Sequence, residues 1–139
     1  MVDTVFVVAD WIDHNASDQS RKLEGRISDT YRKVTIDPWY LGAPPERQSH
    51  RLYVGATPEQ PYGAMFSFFP CLPFADAGKG FARPEIRIPG FITDPLNQGK
   101  KVALNLSVAR LTELWQDVAR QVEEQGLLLG VQAELPEQR

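Results

Sequence analysis

Apolar and polar positions fall into their clearest register from Ser107 onward. Val108, Leu111, Leu114, Trp115, Val118 and Val122 recur at helical spacing, while Arg110, Glu113, Asp117, Arg120, Gln121 and Glu124 occupy the opposite face. Ser107 is a good N-cap and Gly126 a good C′ stop, so the pattern predicts a helix over about 108–125. Ahead of it, Val102, Leu104 and Leu106 alternate with Ala103 and Asn105, as in a strand. Behind it, Leu127-Leu128-Leu129-Gly130-Val131 reads as a buried strand and 134–139 as a solvated tail.

The chain opens with a β-branched, nearly continuous apolar run, Thr4 to Ala9, which predicts a strand covered on both faces. Asp10 and the polar cluster from Asp13 to Asp18 then read as the turn that ends it. Residues 17–31 admit two readings. Leu23, Ile27, Tyr31 and Val34 step by four, four and three behind an Asn15 or Ser17 cap; a period of two over the same residues describes a strand instead. The helix is favoured, from about Ser17 into the high twenties, although Gly25 weakens it by about 1 kcal/mol. A strand from about Arg32 to Asp37 follows.

Ten of the eleven prolines lie between Pro38 and Pro95. They confine regular structure in that zone to short strands at Arg51–Gly55, Ala64–Phe69 and Glu85–Ile88, the last a proline-bounded edge strand. The element order predicts an α+β fold: one domain over 1–139, with a mostly antiparallel sheet, a well-defined C-terminal helix and an irregular, proline- and aromatic-rich zone over 38–95.

Leu, Ile, Val and Phe make up about a quarter of the 139 residues, enough for one modest core and too many for a disordered chain. Eighteen acidic against fifteen basic residues leave a net charge of −3, which argues against a generic binder of nucleic acid or anionic membrane. No apolar run approaches the roughly 18 residues that span a bilayer. The acidic start, MVDTVFVVAD, lacks the positive charge of a secretion signal, so a cytoplasmic location is expected. Cys71, the single cysteine, excludes an internal disulfide framework and a multi-thiolate metal site.

Chemistry-bearing residues are sparse. Asp10, Asp13 and His14 sit where α/β folds often place ligands, just past a first strand, but their spacing matches no metal motif, and capping of the next helix is the plainer reading. Cys71 lies among apolar neighbours between two prolines, as a small buried hydrophobe would, and His50 falls in a polar loop or strand start. Lys79-Gly80-Phe81-Ala82 resembles the start of the third-strand signature of RNA-recognition domains, with Val5-Phe6-Val7 in the place of its first-strand partner. Arg83 and Pro84 depart from that signature, where an aromatic and an uninterrupted strand belong.

The strongest anomaly is aromatic density. Six of seven phenylalanines fall within residues 66–91, and two period-two strands cannot bury them all on one face. Proline-stiffened loops holding outward rings would make a preformed recognition surface, with Phe66, Phe68, Phe74, Phe81, Arg83 and Phe91 as its members. The sequence therefore favours a non-catalytic protein-interaction or regulatory module, binding a protein partner or its own copy in a homo-oligomer, with no cofactor and no membrane. The alternatives are a small metal- or ligand-dependent enzyme using Asp10, Asp13 and His14, and, less favoured, a single-stranded nucleic-acid binder.

Overall fold

A computed structural model describes residues 1–41, 49–73, 76, 83–88 and 106–131. The fold is α+β, with helices and two small antiparallel two-stranded sheets. Residues Val8–Val54 form one compact unit; Met1–Val7 and Gly55–Arg139 form another. Among the described residues, no helix is long and apolar enough to cross a membrane.

The second unit is organised by the long helix. It runs Val108–Glu124 (α4 in chain order), capped at Ser107, whose Oγ accepts from the Arg110 amide, and closed by Gly126 at φ +76°. Val118, Ala119 and Val122 join Phe68 and Leu127 in the core, with Val5, Phe66, Leu72, Ile86, Ile88, Trp115 and Leu129 packed around them. Beyond the helix, β4 (Leu128–Gly130) pairs antiparallel with β3 (Phe69–Cys71), Phe69 facing Gly130 and Cys71 facing Leu128. The strand expected to be buried at 127–131 is covered at Leu127 but open at Leu128 and Val131, since a two-stranded ladder leaves one side uncovered. Pro70 lies inside β3, opposite Leu129; alternate residues of a two-stranded ladder turn their N–H away from the partner strand, and a proline at such a position forfeits no ladder bond.

The Ala64–Phe69 strand expected from composition divides in two. Tyr62 and Met65 exchange both backbone hydrogen bonds around Gly63 (φ +56°) and Ala64 (φ +70°), a tight hairpin turn that needs positive φ at both central residues. Downstream, Phe68 exchanges both backbone bonds with Val5 instead. Gly63 suits its site, because a Cβ there would stand 2.7 Å from Val108 Cγ1. Ala64 has no such freedom, and the left-handed conformation strains it by about 1–2 kcal/mol. Ala64→Gly relieves the strain but loosens the unfolded chain, so a net gain of about 0.5 kcal/mol is expected from urea unfolding.

The Glu85–Ile88 segment keeps its predicted alternation: Ile86 and Ile88 face the core, Glu85 and Arg87 face out. Its ladder partner, however, is a pair of side chains rather than a strand. Gln121 accepts from the Arg87 amide at 2.8 Å and donates to the Arg87 carbonyl at 3.0 Å. Gln125 does the same for Glu85, at 3.2 and 3.1 Å. One helical turn separates the two amides and two strand residues separate their targets, so the spacings match. The strand expected at 102–106 lies almost wholly outside the described residues, and the 134–139 tail entirely so.

In the other unit, β1 (Val8–Asn15) pairs with β2 (Ser49–Gly55). The expected strand at 4–9 is therefore displaced: β1 runs through the polar cluster to Asn15, and Val8, its first residue, is exposed. After the Asn15–Asp18 turn, α1 (Gln19–Leu23) is only five residues long. Gly25, at φ +67°, ends it well short of the high twenties. Ser28 then caps α2 (Asp29–Tyr31), accepting from the Tyr31 amide, and the chain continues through a π-helical turn, Arg32–Ile36, into α3 (Asp37–Tyr40). The strand expected at 32–37 is thus helical, because an N-cap three residues ahead of Tyr31 outweighs the β-branched composition of Val34-Thr35-Ile36.

Candidate functional site

The β1–β2 ribbon has two chemically distinct faces, separated by strand alternation. Trp11 and Asp13 on β1 and Arg51 and Tyr53 on β2 share the outward face. Arg51 grips Asp13 with two hydrogen bonds, Nε to Oδ1 at 2.6 Å and Nη2 to Oδ2 at 2.9 Å. Its guanidinium also lies 5.4 Å from the centroid of the Trp11 ring, in cation–π range, and interacts with Tyr53. The hydrogen bond from Arg51 holds the Asp13 carboxyl below the usual carboxylate range, and Asp13 in turn raises Arg51. Trp11 is 54% exposed and Tyr53 52% exposed, so two large rings flank a fixed ion pair in full view of solvent.

The inward face carries the chain's two histidines. His14 is 2% exposed, and its Nδ1 shares a short hydrogen bond with the Tyr40 hydroxyl of α3. The His50 ring lies 6.0 Å from His14, 5.2 Å from Tyr40 and 5.2 Å from Trp39, centroid to centroid. Among the described residues, neither His14 Nε2 nor His50 Nε2 has a hydrogen-bond partner, though both atoms are buried. Burial, then the neighbouring His50, pushes the His14 pKa below its ordinary 6.5; burial also raises the Tyr40 phenol. Each unpartnered buried polar atom is destabilising by about 1–3 kcal/mol.

The structure does not gather Asp10, Asp13 and His14 into one site. They lie on the strand rather than past its end, so Asp13 and His14 point to opposite faces. Asp13 is engaged by Arg51, and Asp10 is exposed, 3.7 Å from Arg26. Among the described residues, no three His, Cys, Asp or Glu side chains are placed to hold a metal ion. An open cleft of about 440 Å³ near α1 is lined by Arg21 and Arg32 against Glu24 and Asp29, with no imidazole or thiol at its rim.

Of the ring surface expected at 66–91, Phe68 is only 2% exposed and belongs to the core, which corrects its placement as a contact residue. Phe66 is half-buried with its ring 4.8 Å from Trp115, whose indole N–H donates to the Phe66 carbonyl. Arg83 is exposed and paired with Asp3 at 2.8 Å. Phe74, Phe81 and Phe91, like Lys79 of the RNA-recognition resemblance, lie outside the described residues. Phe6, the other aromatic of that resemblance, is exposed and close against Gly55. Cys71 is half-buried, its Sγ 3.8 Å from the Leu128 carbonyl.

No protein family, curated protein or solved structure matches the chain. The site therefore rests on its geometry. Sequence reasoning missed Trp11, Arg51 and Tyr53, although the signal was present: Trp11-x-Asp13 and Arg51-x-Tyr53 each place two residues on one face of a strand. Reading Asp10–Asp18 as a turn concealed the first pair. Nothing local announces that His14 and His50 meet, since 35 residues separate them.

Proposed function

We propose that this chain is a non-catalytic protein-interaction module, with a cytoplasmic location, whose docking face is the outward side of the β1–β2 ribbon. The observation that carries the reading is the exposed Trp11–Arg51–Tyr53 group, held in place by Asp13. Trp, Tyr and Arg dominate the energetics of protein interfaces, and a bidentate ion pair fixes the Arg51 side chain before a partner arrives. The class is the one favoured by the sequence; the surface is a different one. A second copy of the chain is the partner to test first, because the face carries both signs of charge beside apolar rings and can be self-complementary about a two-fold axis.

Sedimentation velocity over a wide concentration range tests this. The wild-type chain is expected to shift from monomer to dimer, and the Trp11→Ser/Tyr53→Ser double variant to remain monomeric with its far-UV helical signal intact. A wild-type chain that stays monomeric throughout removes self-pairing, and a dimer indifferent to both substitutions removes this face.

A further inference from the structure

The docking face uses nothing from the inner side of the ribbon, where two imidazoles, a phenol and an indole meet. We infer that His14 is an acid-sensitive latch: its protonation, against the His50 ring, releases Tyr40 and Trp39 of α3 from β1–β2 and opens the Val8–Val54 unit. The geometry suits a neutral His14. Its ring is enclosed, its neighbour is another imidazole 6.0 Å away, and its Nε2 lacks a partner among the described residues. A charged His14 would stand in a region of low dielectric with no acceptor for its second proton.

Among the described residues, the surrounding charges offer little relief. Asp18, in the turn ahead of α1, acts on His14 but already accepts from Lys22 Nζ at 2.7 Å and the Asn15 amide at 2.7 Å. Lys22 of α1 adds a positive charge facing the same ring. Asp13, on the His14 strand, is engaged by Arg51 of β2. Tyr40 of α3 meets His14 through its hydroxyl, and Trp39 meets His50 through its ring, 5.2 Å between centroids. The His14 pKa is lowered by burial, and the sign follows directly. Above the unfolded value near 6.5 His14 is neutral in both states, and nothing is lost; below it the open state binds the proton first, so opening gains up to about tenfold per pH unit.

Hydrogen exchange of the full chain between about pH 8 and pH 5, corrected for intrinsic rates, reads this out segment by segment. In the wild-type chain the opening constant of β1 and β2 amides is expected to rise by up to about tenfold per pH unit below pH 6.5, while α4 stays flat across the range. His14→Gln is expected to abolish the slope. If that variant is already open at neutral pH, the wild-type slope alone decides. A wild-type unit with no pH dependence, or a His14→Gln slope equal to wild type, overturns the latch.

Discussion

Phe68→Ala is expected to destabilise the chain by about 3–5 kcal/mol, the range for emptying a buried aromatic site. The ring is 2% exposed and stands edge-on to Phe66 and Trp115, at 6.3 and 5.9 Å between centroids. Its backbone cannot drift inward to fill the void, because the amide and carbonyl of Phe68 are both bonded to Val5, at 2.9 and 2.8 Å. A cavity that does not collapse forfeits contacts as well as transfer energy. Urea unfolding followed by far-UV circular dichroism, which α4 dominates, measures the loss. Leu128→Ala, at an exposed position of β4, is the control and should stay within about 0.5 kcal/mol. A loss below about 1 kcal/mol for Phe68→Ala would return that ring to the surface and with it the recognition zone expected over 66–91.

That expectation shows where sequence stops being informative. The helix at 108–124 was legible in full, because cap, periodicity and stop signal all agree locally. Strand β2 was legible within two residues, since turn-rich flanks isolate it. The middle of the chain was misread because strand pairing is non-local. Residues 64–69 looked like one strand, but their partners are Tyr62 on one side and Val5 on the other. Likewise the alternation of Glu85–Ile88 was correct, yet its backbone is satisfied by Gln125, at the end of the helix, and by Gln121, a polar residue that periodicity assigns to the solvent face. A side-chain amide carries both a donor and an acceptor, so a helix face can present it to an extended segment as a second strand would.

The candidate site was legible only in its ingredients. His14 and Asp13 were singled out, but for a shared site that strand alternation forbids. Once β1 is extended to Asn15, the same residues divide into an acid held outward by Arg51 and an imidazole held inward by Tyr40. The ribbon thus couples two properties that look unrelated along the sequence: an exposed ring-and-guanidinium face, and an inner face whose cover depends on a neutral His14.

The cover itself is tested at the π-helical turn. Ile36→Ala is expected to destabilise the Val8–Val54 unit by about 2–5 kcal/mol, and Val34→Ala to leave it within about 0.5 kcal/mol. Ile36 is 1% exposed and Val34 71% exposed, though only two positions separate them. In a strand, residues two apart share a face and both substitutions would matter; in a helical turn they point well apart, and only one does. The pair therefore distinguishes the strand that composition suggests from the turn that Ser28 initiates. Hydrogen exchange in β1 and β2, read at pH 7.5 where His14 is neutral, separates this packing loss from the proton-driven opening. Comparable losses at both positions would restore the strand and dissolve the helical cover over His14. A loss at Ile36 alone keeps α3 where Tyr40 can reach the imidazole.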